Sequence, residues 1–72
     1  MGEDKYEIGT LVWCRPRIID KPIQGEYIRS ITKEENKKGY RYGEIVRIGD
    51  DEVWVRSDLC NKDIEKIINI KH

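Results

Sequence analysis

The stretch that decides the fold is YRYGEIVRIGDDEVWVRS, residues 40–57. Two short apolar-rich runs, EIVRI and VWVRS, flank the turn sequence GDDE, and in the second run Val53 and Val55 alternate with Trp54 and Arg56. Alternation with a period of two is typical of strands that bury one face, and a short Gly/Asp turn between two such runs is typical of a β-hairpin. We therefore predict a hairpin here, with Val53 and Val55 on one face and Trp54 and Arg56 on the other.

The composition favours strands in the rest of the chain as well. The 72 residues include no Ala and no Phe, whereas 12 Ile, 4 Val and 2 Thr make a quarter of the chain β-branched. Such residues lose side-chain freedom in a helix and pack well on a sheet. A chain of this length forms one small domain with a modest core, so an enzyme with a deep cleft is not expected.

A second strand pattern lies near the start, in GTLVWCRPR, residues 9–17. We predict that Val12 and Cys14 face the core and that Pro16, which lacks an N–H, ends the pairing.

A glycine inside a strand suggests a bulge, which we place at Gly43. Residues 32–39 contain no apolar side chain and are predicted to form a solvated loop.

The C-terminal segment combines two periodicities. Ile64, Ile67 and Ile68 have helical spacing, whereas Ile68 and Ile70 alternate as in a strand. We predict a helical turn at 61–64 followed by a closing strand at 66–70. The predicted core consists of Val12, Cys14, Ile28, Ile45, Ile48, Val53, Val55, Ile67 and Ile70.

These patterns resemble those of SH3-like barrels. The sequence GEIVRI, residues 43–48, resembles the core of the KOW motif, and GTLVWC, residues 9–14, resembles the opening strand of Tudor and PWWP domains and of retroviral integrase C-terminal domains. The expected fold class is therefore all-β, a small five-stranded antiparallel barrel with a short helical turn before the last strand. The expected domain spans 8–70 and follows a polar segment, 1–7. The resemblance implies a non-catalytic module that binds protein tails, other proteins or nucleic acid.

Aromatic and arginine side chains make up the first candidate site. Trp, Tyr and Arg are enriched at binding hot spots, and the two Trp lie opposite the faces assigned to the core. The alternative is that these rings cover the ends of the barrel. The candidate partner-binding residues are Trp13, Arg15, Tyr40, Arg41, Tyr42, Trp54 and Arg56.

Charge supplies the alternative, a nucleic-acid site. Lys+Arg and Asp+Glu number 14 each, but residues 15–47 hold nine basic and five acidic side chains, and residues 48–65 hold two and six. A basic segment can contact phosphates, although the near-neutral net charge favours a protein partner or binding within a larger complex. The candidate phosphate-contacting residues are Arg15, Arg17, Lys37, Lys38, Arg41 and Arg47. A third possibility is a small oligomer whose interface forms the site.

Signatures of catalysis, cofactors and metals are scarce. The one histidine is His72, and no Ser-hydrolase or phosphate-loop motif occurs. Asp50, Asp51 and Glu52 could bind a divalent cation, but Asp is expected in a hairpin turn for backbone reasons. We therefore expect no enzyme activity, no cofactor and no metal site.

The two cysteines, Cys14 and Cys60, are predicted to be buried, reduced and inert. The sequence shows neither a secretory signal nor an apolar run long enough for a membrane span, so we expect an intracellular protein, cytoplasmic or nuclear, that does not bind a membrane. A disulfide between the two cysteines remains the alternative, and it would indicate an oxidising compartment.

Overall fold

A computed structural model describes residues 4–31, 34–35 and 43–71 of the chain. Its strands are β1 (Leu11–Cys14), β2 (Ile23–Ser30), β3 (Glu44–Ile48), β4 (Asp51–Val55) and β5 (Cys60–Asn61). A 3₁₀ turn (Ser57–Leu59) precedes β5, and a one-turn helix (Glu65–Ile68) follows it. Glu34 and Glu35, the described part of the predicted polar loop, are helical.

The strands form one antiparallel sheet in the order β4-β3-β2-β1-β5. The first half of β2 pairs with β1 and its second half pairs with β3, so β2 joins the two ends of the sheet. The register shifts between Tyr27 and Arg29, which places a bulge at Ile28. A bulge bends a strand and increases its twist. The predicted fold class is confirmed, but the sheet is open in the described residues rather than closed into a barrel.

One face of the sheet packs on a core cluster of buried side chains. Four of the predicted core residues, Val12, Cys14, Val55 and Ile67, are fully buried or nearly so. Three others are partly buried against this cluster: Ile48, Val53 and Ile70. Cys60, whose burial was predicted separately, is also fully buried, whereas the burial of Tyr27, Val46 and Leu59 was not predicted.

The predictions for Ile28 and Ile45 were wrong, because the strand faces differ from those we inferred. The buried positions of β3 are Glu44 and Val46, so Ile45 lies on the opposite face, where it pairs with Trp54. In β2 the bulge at Ile28 leaves the inner position to Tyr27. A shift of one residue exchanges the two faces of a strand.

The order of elements after β4 also differs in part from the prediction. A helical turn does precede the last strand, but it is Ser57–Leu59 rather than 61–64, and the predicted strand at 66–70 is replaced by the helix Glu65–Ile68. The Asp63 carboxylate accepts the N–H of Glu65 at 3.0 Å, which stabilises the start of that helix. The helical spacing of Ile64, Ile67 and Ile68 therefore prevails over their alternation.

Candidate functional site

The outer face of β1 carries an exposed apolar surface. Because Val12 and Cys14 point into the core, Leu11 and Trp13 face outward. Leu11 is 62% exposed, and Trp13 is half-buried. In the sheet register, Trp13 lies between Gln24 of β2 and Asn61 of β5, so polar residues border the apolar pair.

The second tryptophan lies at the other end of the sheet. Trp54 of β4 is half-buried and pairs with Ile45, which in turn pairs with Arg29 of β2. Its indole packs against the backbone of Gly43, where an added Cβ would lie 2.3 Å from Nε1. Glycine is thus required at position 43 for the close approach of the Trp54 ring. The bulge that was predicted at Gly43 lies instead at Ile28.

The structure does not bring the two tryptophans together. They lie on β1 and β4, three strand spacings apart, which corresponds to roughly 14 Å across the sheet. They also occupy different rows, since Trp13 is aligned with Gln24 and Trp54 with Arg29. The two tryptophans therefore belong to two separate surfaces.

Arg15, predicted to contact a ligand, is 7% exposed and is used by the fold. Its Nε donates to the carbonyl of Asp20 at 2.9 Å, and Nη1 donates to those of Ile67 and Ile70, both at 2.7 Å. Nη2 donates to the carbonyl of Ile18. The guanidinium thus joins the loop after β1 to the C-terminal helix.

The exposed arginines in the candidate sets are paired with carboxylates. Arg17 contacts Asp20 at 3.2 Å. Arg47 contacts Glu26 and Glu52, each at 3.2 Å. These two residues belong to the alternative, phosphate-binding set, so a phosphate at either position would compete with an intramolecular carboxylate.

Arg56 pairs with Asp58 through two hydrogen bonds, of 2.7 Å from Nε and 2.5 Å from Nη2. The guanidinium lowers the pKa of the Asp58 carboxyl below its usual value. The other five candidate residues lie outside the described part of the chain: Lys37, Lys38, Tyr40, Arg41 and Tyr42.

A buried carboxylate near the start of β3 was missed by the sequence analysis. Glu44 is 4% exposed, and its Oε1 accepts hydrogen bonds from Tyr27 Oη at 2.8 Å and from Ser30 Oγ at 2.5 Å. Its Oε2 accepts one from Ser57 Oγ at 2.5 Å. Burial raises the pKa of Tyr27 to about 12. The available signal was that Glu44 shares its strand face with Val46.

The N-terminal segment packs against this hydroxyl cluster. The backbone N–H of Lys5 donates to Tyr27 Oη at 3.0 Å and to Ser30 Oγ at 3.3 Å. The Lys5 ammonium donates to the carbonyls of Ser57 at 2.8 Å and Cys60 at 2.7 Å. The ring of Tyr6 meets that of Tyr27 edge-on, with centroids 5.4 Å apart. Lys5 and Tyr6, which lie in the segment predicted to precede the domain, therefore contact β2, the 3₁₀ turn and β5.

Both cysteines are free and fully buried, as predicted. Burial raises the pKa of Cys14 to about 11 and that of Cys60 to about 12. In the described ranges, no group of three or more His, Cys, Asp or Glu side chains is arranged as metal ligands would be.

Comparison with known proteins supplies no relative: no family model, curated protein or solved structure matches the chain. Across residues 4–31, 34–35 and 43–71, no helix has both the length and the apolar character needed to cross a bilayer.

Proposed function

We propose that this domain is a non-catalytic, SH3-like interaction module that binds another protein through the outer face of β1. The five antiparallel strands and the 3₁₀ turn before β5 support the SH3-like assignment. The KOW-like and Tudor-like sequence patterns described above support the same general class.

The observation that carries the proposal is the exposure of Leu11 beside Trp13. A large apolar side chain that is 62% exposed next to a half-buried indole, with polar neighbours, has the layout of a small protein-binding surface. An aromatic ring at the centre of such a surface loses water on binding and contributes strongly to affinity.

The edge of β1 adds a way to hold an extended segment. β5 pairs only with Trp13 and Cys14, so β1 has no strand partner on that side at Leu11 within the described residues. An extended peptide that continued the line of β5 would pair with the backbone there while its apolar side chains covered Leu11. The proposed partner is therefore an extended protein segment with an apolar residue.

The alternative, nucleic-acid binding, has less support from the described residues. Arg15 is engaged by four carbonyls, and Arg17 and Arg47 are paired with carboxylates. When lysine and arginine side chains neutralise phosphates, counterions are released from the nucleic acid, and this release drives association. An arginine that is already paired with a carboxylate contributes less to it.

Affinity capture from the native lysate with three baits tests the proposal: the unaltered chain, Leu11→Ser, and Ile68→Ser as a control. Ile68 is 50% exposed but lies on the C-terminal helix. We expect a protein to be captured by the unaltered and Ile68→Ser baits, to be lost with Leu11→Ser, and to persist after nuclease treatment.

Three results would contradict the proposal. Equal capture by all three baits would mean that Leu11 is not at the interface. Loss of the captured material after nuclease, or an affinity that falls with a steep logarithmic salt slope, would favour nucleic acid. A discrete oligomer of the purified chain in sedimentation, with Leu11 at its interface, would favour self-association.

A further inference from the structure

Cys14 and Cys60 lie directly opposite each other on the adjacent strands β1 and β5. The N–H of Arg15 donates to the carbonyl of Leu59 at 2.9 Å, so Arg15 and Leu59, the pair next to the two cysteines, form a hydrogen-bonded pair. Because the two types alternate along an antiparallel ladder, Cys14 and Cys60 form a non-hydrogen-bonded pair. In such pairs the Cα atoms are about 4.5 Å apart and the side chains are closest.

The two thiols also share one environment. Both side chains belong to the buried core cluster, and both are 0% exposed. A Cα separation of about 4.5 Å lies within the range found for protein disulfides. Two cysteines at unrelated core positions would be buried but would not lie this close together.

We propose that Cys14 and Cys60 form a reversible intramolecular disulfide when the protein meets a low-molecular-weight disulfide such as oxidised glutathione. This inference does not depend on the proposed function. It concerns a modification site in the core, whereas the proposed binding surface lies on the outer face of β1.

The reaction proceeds by two thiol–disulfide exchanges. The thiolate of one cysteine attacks oxidised glutathione, which forms a mixed disulfide and releases one glutathione. The thiolate of the other cysteine then attacks the protein sulfur of that mixed disulfide and releases the second glutathione. The protein loses two protons and two electrons, and oxidised glutathione takes up both to become two glutathione thiols.

Access to the thiols depends on opening of β5. Burial raises the pKa of both thiols and excludes the oxidant, so the closed fold reacts slowly. β5 is only two residues long and lies at the edge of the sheet, where local opening costs less than global unfolding. Separation of β5 from β1 exposes both cysteines, and the bond closes when the strands pair again.

The bridge would tie the first strand to the last. All of β2, β3 and β4 lies between the bonded residues, so the disulfide restricts the unfolded chain over most of its length. Such a restriction lowers the equilibrium constant for unfolding, by a factor on the order of 10³ for a loop of this size. The oxidised protein is therefore expected to unfold at a higher urea concentration than the reduced protein.

The test incubates the native chain with excess oxidised glutathione and follows its intact mass and its urea unfolding. We expect a product lighter by two hydrogens, monomeric, restored by dithiothreitol, and with a raised urea midpoint. Cys14→Ser and Cys60→Ser serve as controls, and each can form only a glutathione adduct or an intermolecular dimer.

Any other product of the native chain overturns the inference. A stable glutathione adduct without loss of two hydrogens would show that the second thiol does not reach the first. No reaction at an oxidant concentration that bridges the urea-unfolded chain would show that the native strands do not open or align. A bridged protein with an unchanged or lower urea midpoint would show that the bond does not fit the fold.

Discussion

Arg15 and Glu44 are both buried charged side chains, but the groups that solvate them differ. Arg15 donates to four main-chain carbonyls, two in the loop after β1 and two in and after the C-terminal helix. Glu44 accepts from three side-chain hydroxyls, two on β2 and one in the 3₁₀ turn. Within the part of the chain that the structure describes, neither forms an ion pair.

The difference shows what each charge does for the fold. Carbonyls at the end of a helix have no intrahelical partner and carry partial negative charge, so a guanidinium satisfies several of them at once. Arg15 therefore positions irregular backbone that no ladder holds. Glu44 instead collects side chains on elements that the sheet and turn already position, so its loss should cost less.

The largest expected effect is that of Arg15→Met, which keeps the length of the side chain and removes its donors. Carbonyls of Asp20, Ile67 and Ile70 would lose a buried partner, and we expect the free energy of unfolding to fall by about 3 kcal/mol or more. Urea unfolding followed by tryptophan fluorescence measures this change.

Arg17→Met is the matched control, because the Arg17 side chain is 73% exposed and its ion pair within the described residues is with Asp20. It should cost less than about 0.5 kcal/mol. Equal losses for the two variants would mean that the carbonyl contacts of Arg15 add nothing to stability.

The second effect is that of Glu44→Ala, which leaves three hydroxyls without their common acceptor. These hydroxyls can still bond to one another or to water that enters the gap, so we expect a loss of about 2 kcal/mol, smaller than that for Arg15→Met. Glu52→Ala, on the exposed edge strand, is the control and should be nearly neutral. A larger decrease in the free energy of unfolding for Glu44→Ala than for Arg15→Met would mean that Glu44, rather than Arg15, contributes more to the stability of the fold.

The third effect is a decrease in the free energy of unfolding at alkaline pH, caused by Tyr27, whose hydroxyl donates to Glu44. The pKa of Tyr27 is raised to about 12, because burial disfavours the phenolate, from an ordinary value of 10.0. The folded state therefore keeps a proton on Tyr27 that the unfolded state loses. The contribution of Tyr27 to the free energy of unfolding is complete below pH 10 and is lost as the pH rises from 10 towards 12. Tyr27 should add a slope of about 1.4 kcal/mol per pH unit in that window.

Urea unfolding of the unaltered protein and of Tyr27→Phe at pH 9, 10 and 11 isolates this contribution, since the two buried thiols titrate in both proteins. The stability of the unaltered protein should fall more steeply above pH 10. Parallel curves would mean that Tyr27 ionises as readily in the folded state as in the unfolded state.

The smallest effect is that of Lys5→Met, which removes the ammonium from the carbonyls of Ser57 and Cys60 and keeps the backbone contacts of Lys5. Because these contacts are partly exposed, we expect a loss of about 0.5–1 kcal/mol. Lys66→Met, on the exposed side of the C-terminal helix, is the control. Faster amide exchange at Ser57–Asn61 in Lys5→Met alone would locate the effect at the 3₁₀ turn and β5, and unchanged exchange would contradict it.

The sequence predicted the parts of the fold that depend on alternation and turn chemistry. The hairpin of β3 and β4 and the inward direction of Val12 and Cys14 follow from a period of two and a Gly/Asp turn. The bulge at Ile28 was not predictable in this way, because no Gly or Pro marks it and its position depends on pairing with β3.

The candidate site was predicted less well, for a related reason. Arg15 follows Trp13 with the spacing of an outward-facing residue, but β1 ends at Cys14 and the chain turns, which carries the guanidinium inside. Trp13 and Trp54 each lie on the outer face as expected, yet only the order of the strands shows that they are far apart. Alternation identifies a face of a strand, and it does not identify neighbours across the sheet.

The division of β2 between two partners has a consequence for the order in which the fold assembles. β2, β3 and β4 follow one another in sequence and in space, so they can pair by closing connections of 13 residues (31–43) and two residues (49–50). Pairing of β1 with β5 joins segments near opposite ends of the chain and closes a much longer loop, which is slower to form. β1 therefore leaves the ribosome before the other strands but completes its pairing only after β5 has been synthesised.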